Sequence, residues 1–562
     1  MHHALLHVDL VGLQGYVFRS RSLLDTVGRS AQLEAFTTTV AQEAISTVGA
    51  GAAPGVVVRV VFAGAGSLTV ACTAPDPRTA ADTARRVSST LTRQVADTSD
   101  ALTVVAAVLA VDGEVTERDR QLVAAQARAA RHHTPAPLPV VLALGGLRCT
   151  TTGSAATVLA PPTPEADTRV PQARDVAEAR ARGQEWHATQ QRQVLPQGGA
   201  VLPRRLDELG RAVGETSHLA VVVADLNGLG GRLHDLAQHH TGAPDTGTPD
   251  TAAPDGGAGA PVEGWGPLSA VAVALREMST ALITHLVGLV DAARDPEDPR
   301  LVRTVPPRLG VRCAERDGAV QLPLRPWVSA GDDLVVVCES RLAWSLGRAA
   351  LDWWHHHPTD PGDPRFVVHT LLGDGPLTAG VGVAVVPVGY PLALAHESAT
   401  ALCHNAKQAC RQYLEDTGEV TSALDWHRGT ALPGDAALDR SGAPPHPGRA
   451  PAPATARPYL HLPQGDGSPL TDLLETTLGA QDPRSLRHTG AAGWGAHRGW
   501  LKSTLAAALL AGQDPAPVAA AHRDRQAQLH RPVPPELPTT DPGQLADALD
   551  LLDDHASLEV GA

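Results

Sequence analysis

The sequence predicts an α+β fold built around two sheet-forming units and a helical C-terminal part, and three observations carry that prediction. Strand-forming apolar runs twice end in an acid and open through glycine into a helical stretch, once at His7-Val8-Asp9-Leu10-Val11-Gly12 and once at Val221-Val222-Val223-Ala224-Asp225-Leu226-Asn227-Gly228. Each of these is followed by a pair of apolar runs joined through a tight turn, the pattern of a hairpin. Beyond residue 459, amphipathic runs over 494–511, 517–528 and 542–556 have helical spacing.

In chain order, residues 1–148 read as the first unit. Its hairpin runs from Val56 to Phe62, turns at Ala63-Gly64-Ala65-Gly66-Ser67 and returns from Leu68 to Cys72. That turn has no acid, so it should bind magnesium poorly, and the unit is expected to be structural or to hold an acceptor nucleotide rather than catalytic ions. Residues 149–210 read as a connector, in which 174–193 is a charged, helix-like segment with little apolar content and is expected to be solvated. Residues 211–435 form the second unit. Here the strand ending in Asp225 leads into Asn227-Gly228-Leu229-Gly230-Gly231, and an insertion at 240–261, poor in bulky apolar residues, is expected to be disordered. A helix follows over 268–293. A linker at 436–458 then leads to a helical domain at 459–562.

The second hairpin is the most chemically specific stretch. Pro326-Trp327-Val328-Ser329-Ala330-Gly331-Asp332-Asp333-Leu334-Val335-Val336 puts two adjacent carboxylates on a turn between strands. Asp-Asp in a turn often does no more than cap or solvate it. The conjunction with Asp225 and a glycine-rich helix start favours a metal site, because paired like charges are costly unless a divalent cation neutralises them. Asp225, Asp332 and Asp333 are therefore the candidate catalytic and metal-holding residues, for Mg²⁺ or Mn²⁺. Ser329 and Gly331 belong to the same turn. Asn227, Gly228, Gly230 and Gly231 offer backbone N–H groups to phosphates at a helix N-terminus.

These motifs resemble the palm, or GGDEF-like, nucleotidyl cyclase domain in the large subunit of type III CRISPR effector complexes, in a form lacking the N-terminal HD nuclease domain. The family carries Gly-Gly-Asp-Asp where this chain has Ala330-Gly331-Asp332-Asp333. The similarity continues through Leu377-Thr378-Ala379-Gly380-Val381-Gly382 as the next strand, then Tyr390-Pro391 and a helix through Lys407, then Ser422-Ala423-Leu424-Asp425-Trp426-His427. The N-terminal unit resembles the family's first palm. The resemblance implies two ferredoxin-like palm domains packed together, with nucleotides at their interface. It also implies ATP as substrate, a cyclic oligoadenylate as product, and RNA-binding effector subunits with a guide RNA as partners. It gives Asp9 or Ser67 a place in shaping the acceptor site. His234-Asp235 falls inside a helix, so no HD nuclease is expected.

Composition sharpens this reading. Lys407 and Lys502 are the only lysines, and Asn227 and Asn405 the only asparagines, in a chain that uses arginine nearly everywhere. A retained lysine on the helix after the third strand of the second unit suits a triphosphate held by a compact point charge. The formal net charge of -14 argues against the chain coating RNA by itself, so RNA would be held mainly through partners. No run reads as a membrane span or signal peptide, and a cytoplasmic location is expected. The six cysteines contain no Cys-x-x-Cys pair, and Arg148-Cys149-Thr150-Thr151 resembles a zinc-ribbon remnant lacking its second cysteine, so no zinc is predicted. Two alternatives stay open: a catalytically idle double-palm scaffold organising an RNA-guided assembly, and a standalone defence cyclase.

Overall fold

A computed structural model describes residues 1–20, 22–64, 66–98, 102–131, 146–160, 169–195, 199–209, 218–240, 266–330, 333–373, 375–430, 455–462, 468–479 and 482–559. The predicted insertion from 241 onward, most of the predicted linker, and Gly331 and Asp332 lie outside the described residues.

The first unit begins with β1 (His2–Val11), then α1 (Leu23–Ala35) and α2 (Ala41–Ala50), which are continuous through a π-turn at Phe36–Val40. The hairpin β2 (Val57–Gly64) and β3 (Ser67–Ala74), α3 (Pro77–Thr98), β4 (Thr103–Val111) and α4 (Glu117–Arg131) complete it. The sheet order is β2-β3-β1-β4 with every neighbour antiparallel, the order of a split βαβ unit. Central β1 is buried on both faces from Ala4 to Leu10, where apolar residues are interrupted only by His7 and Asp9. Ala4, Leu6, Val8 and Leu10 face a core shared with Leu68, Val70 and Leu91, whereas Leu5 belongs to a second core. Asp9 is therefore on the face of Leu5, away from α3.

The connector helix α5 (Arg174–Val194) is present, but it is not a solvated segment. It crosses α1 so closely that a Cβ at Gly28 would stand 1.8 Å from the Ala179 carbonyl oxygen, and one at Gly183 2.2 Å from that of Leu24. Its charges are used inward: Arg29 donates to Asp175 at 2.9 Å, and Arg180 donates to Asp25 at 2.9 and 3.0 Å.

The second unit repeats the first. β5 (His218–Leu226), α6 (Leu229–His240) and α7 (Gly266–Ala292) are followed by the hairpin β6 (Leu324–Ala330) and β7 (Asp333–Glu339). Then come α8 (Ala343–His355), α9 (Pro364–Leu372), β8 (Ala379–Pro387), α10 (Leu392–Thr417) and β9 (Ser422–Arg428). The sheet runs β6-β7-β5-β8-β9-β10, and its first four strands have the order seen in the first unit. β9 joins parallel to β8, and β10 (Tyr459–His461) adds the last, antiparallel strand. The helices α11 (Pro515–Gln528) and α12 (Pro542–Leu551) follow. One continuous core takes in Trp426 of β9, Trp494 and Leu545, so the C-terminal segment packs on the second sheet and also contributes a strand to it.

Helix α7 departs from the sequence reading. The helix is 26 residues long from Pro267, and an 18-residue window in it reaches a mean hydropathy of 1.3, enough by length and composition to cross a bilayer, yet half of that window is buried within the protein. It packs against α9, β2 and β6 and so bridges the two units.

Candidate functional site

The register of the second sheet positions the site. β5 and β7 pair antiparallel through Ala224 and Leu334, which sets Asp225 and Asp333 at the same end of adjacent strands. The hairpin closes with Ala330 opposite Asp333, and Ser329 pairs through its backbone with Leu334. On its other side Asp225 faces Gly380 of β8.

Two glycines on β8 bring α10 onto the sheet. A Cβ at Gly380 would lie 2.5 Å from Lys407 Cγ and 2.9 Å from the Cys403 carbonyl oxygen, and one at Gly382 2.0 Å from the Ala399 carbonyl oxygen. Cys403 Sγ donates to the Gly380 carbonyl at 3.2 Å. This close approach lets Lys407 Nζ donate to Asp225 Oδ2 at 2.6 Å and to the Leu226 carbonyl at 2.9 Å. The pair stays reachable, with 30% of the Asp225 side chain and 16% of the Lys407 side chain exposed.

The turn after β5 is tied down at Asn227. Its N–H donates to the Thr378 carbonyl at 2.7 Å, and its Nδ2 donates to Thr378 Oγ1 at 3.2 Å and the Thr421 carbonyl at 3.3 Å. Gly228 has φ +68°, a left-handed conformation that favours glycine. Gly230 and Gly231, in the first turn of α6, face open space where a side chain would sit.

Asp225, Asp333 and Lys407 open into one cleft of about 410 Å³ between the two units. The first unit contributes Phe18, Glu34, Thr37 and the hairpin residues Phe62, Gly64 and Gly66, while the second adds Arg276 of α7 and His396, Cys403 and Arg411 of α10. Burial pushes the Cys403 thiol up to about 12, the Asp225 and Asp333 carboxylates push it the same way, and Lys407 opposes them. Burial also raises the Glu34 carboxyl, against the nearby Arg276 guanidinium.

The first unit holds a counterpart behind the cleft. Asp9 lies opposite Ser67 on β3 and Val105 on β4, the register Asp225 has in the second sheet. Asp9 is 3% exposed. Its Oδ1 accepts from Ser67 Oγ and from His7 Nε2, and its Oδ2 accepts at 2.8 Å from Arg131 at the end of α4. Burial alone would raise the Asp9 carboxyl, but these hydrogen bonds outweigh it and hold the group well below the usual carboxylate range. Each strand-end acid thus meets a cation from the helix after the fourth strand, Arg131 in one unit and Lys407 in the other.

Of the residues singled out in the sequence, Asp225, Asp333 and Lys407 converge in the cleft, with Asn227, Gly228, Gly230 and Gly231 on the adjoining turn. Ser67 neighbours the cleft-lining Gly66, and Asp9 stands behind it. No group of three or more His, Cys, Asp or Glu converges among the described residues. The two described carboxylates still match Mg²⁺, which takes one or two together with phosphates and water. Sequence reasoning missed Gly380, Gly382, Phe18 and Phe62. The available signal was the glycine alternation inside an apolar strand, which marks close backbone approach.

No protein-family model and no curated protein matches the chain. Among solved structures, a chain of a Csm1–Csm4 cassette in complex with pppApA is similar at TM-score 0.48 and 13% identity, covering 98% of this chain and 69% of that one. A cassette in complex with cA4 gives TM-score 0.46 and 13% identity over 98% and 70%. For a cassette in complex with cA3, the values are TM-score 0.39 and 14% identity, and this chain spans 73% of its own length and only 53% of that chain. A chain described as part of a Csm1–Csm4 subcomplex in the type III-A CRISPR-Csm interference complex is similar at TM-score 0.39 and 14% identity, over 73% of this chain and 53% of that one.

Proposed function

We propose that the chain is a palm-type nucleotidyltransferase that makes a cyclic oligoadenylate from ATP, releasing pyrophosphate, within a type III CRISPR-like or related antiviral effector. In this reading the two sheet units are paired palms, and RNA-binding subunits with a guide RNA are the partners. One observation carries it: the strand-end Asp225, the hairpin Asp333 and Lys407, one of two lysines in the chain, share one cleft between two units of the same strand order. The cleft itself, not the solved cassettes, supports the activity.

Asp225 and Asp333, with Asp332 of the same turn, would hold Mg²⁺ or Mn²⁺. The metal supplies charge neutralisation and eases deprotonation of the attacking ribose hydroxyl. The protein's own groups hold and orient the nucleotide. Lys407 is placed to exchange its bond to Asp225 for a phosphate oxygen, which leaves the carboxylate for the metal. N–H groups at the Gly228–Gly231 turn face the same anion. Asp9, Ser67 and Arg131 hold the first hairpin against the cleft.

The Lys407–Asp225 ion pair also favours a second reading, an idle scaffold, because it already neutralises the carboxylate that a metal needs. Thermal melting with ATP and Mg²⁺ separates the two. An active site raises the melting temperature only when both are present, by mass action. A scaffold with this pair as a permanent lock shows no shift.

A further inference from the structure

The cleft wall carries two polar atoms left unpaired among the described residues. His396 Nδ1 and Thr400 Oγ1 are buried and make no hydrogen bond among the described residues, although both side chains line the cleft. His396 is only 6% exposed. The omission at Thr400 is specific to it, since a helical hydroxyl ordinarily returns to the carbonyl four residues back. Ser398 does so to Leu394 at 2.9 Å, and Thr417 to Tyr413 at 2.7 Å, on the same helix. A buried group left unpaired costs more than a made bond gains, so two on one wall point to a ligand that completes them.

Their spacing gives that ligand a direction. His396, Thr400 and Lys407 stand four and seven residues apart along one stripe of α10. At about 1.5 Å per residue, Thr400 and His396 lie about 10 and 16 Å from Lys407 along the helix, the reach from the phosphates of an extended nucleotide to its base. Phe18 packs on the His396 ring with centroids 4.1 Å apart, and Phe62 lines the same cleft, so aromatic surface is present where a base would stack. Burial lowers His396 to about 4, which leaves a neutral imidazole with one donor and one acceptor nitrogen.

We propose that His396 and Thr400 form the base-reading end of the cleft, where imidazole and hydroxyl hydrogen-bond the adjacent donor and acceptor on the edge of a purine. The ring rests against Phe18 and Phe62, and the phosphates run along α10 toward Lys407 and Asp225. This rests on the reading of the cleft as an ATP site.

Calorimetric titration of the full chain with ATP, UTP and inorganic triphosphate, each with Mg²⁺, tests it. Wild type is expected to prefer ATP over UTP at least about tenfold. Thr400→Val and His396→Ala should each weaken ATP about five- to tenfold, the value of one hydrogen bond, and leave inorganic triphosphate unchanged. Asp225→Asn should weaken all three ligands and keep the ATP:UTP ratio. Thr400→Val is isosteric and removes an unpaired hydroxyl, so its melting temperature should not fall below wild type; a fall would assign the hydroxyl to the fold and overturn the proposal. Variants that keep the ATP:UTP ratio, or weaken all three ligands alike, sink base reading and leave the nucleotide site standing. Wild type that binds none of the three sinks both.

Discussion

Replacing Gly382 with alanine should loosen the contact between Lys407 and Asp225 without touching either residue. The new Cβ would stand 2.0 Å from the Ala399 carbonyl oxygen, 2.3 Å from Cys403 N and 3.0 Å from Leu402 C. All three are backbone atoms of α10, so no rotamer relieves the clash, and the helix must retreat by more than about 1 Å to restore ordinary contact. Such overpacking costs about 1–3 kcal/mol. In a domain of this size that lowers the melting temperature by about 2–4 °C per kcal/mol. The same retreat stretches the 2.6 Å Lys407–Asp225 bond past about 3.5 Å, where it no longer counts as a hydrogen bond. Melting curves and ATP titration should therefore change together. Gly288→Ala on α7 is the control, because nothing lies within 4 Å of its Cβ position and alanine there should stabilise by about 0.5–1 kcal/mol. A Gly382→Ala protein that melts and binds ATP like wild type would refute the account of how α10 positions Lys407.

Asp9→Asn should destabilise by about 1.5–3 kcal/mol at neutral pH, the scale of a hydrogen bond to a charged group. The sign follows from linkage. Asp9 is held below its unfolded value near 4, so its stabilisation is complete above that pH and is lost as pH falls below it. Melting temperatures measured from pH 6 to pH 3 should fall more steeply for wild type than for Asp9→Asn; parallel curves would contradict the Arg131, Ser67 and His7 contacts. Lys407→Met should strengthen Mg²⁺ binding in the absence of nucleotide, by uncovering Asp225, while weakening ATP about tenfold in the same titration. If both affinities fall, Lys407 holds the carboxylate in place and does not compete for it. Gly183→Ala should melt at least about 3 °C below wild type, because its Cβ would meet the Leu24 carbonyl oxygen at 2.2 Å, and wild-type melting would mean that α1 and α5 are not locked together.

Much of the second unit could be read from its sequence because its signals are local. An apolar run ending in an acid, a glycine with positive φ and a short hairpin each constrain only their own few residues, and Asp225, Gly228 and Asp333 stand where that pattern puts them. What could not be read was contact between distant elements. Helix α5 has little hydropathy, yet it is packed, because its buried face mixes only two valines, Val176 and Val194, with the small Ala179 and Gly183, with His187 and Gln190, and with Asp175, which is paired with Arg29 of α1. Small residues and satisfied ion pairs bury without an apolar signature. For the same reason, α7 reads as too interrupted for a membrane span and yet passes that test by composition, and only its packing shows where its apolar surface goes. The pairing of Asp9 with Arg131 spans 122 residues, and no spacing rule reaches that far. The cleft itself needed both units, since its wall draws on residues from Leu13 to Arg411.

The central claim is that the two units enclose a site that turns over nucleotide. Incubating the purified chain with ATP and Mg²⁺ or Mn²⁺, alone and with effector subunits and target RNA, and resolving the products by mass spectrometry tests it most directly. The account predicts pyrophosphate and cyclic oligoadenylate from wild type, and neither from Asp225→Asn nor from the Asp332→Asn, Asp333→Asn double variant. Absence of pyrophosphate from wild type under every condition, or equal release by the double variant, would contradict it.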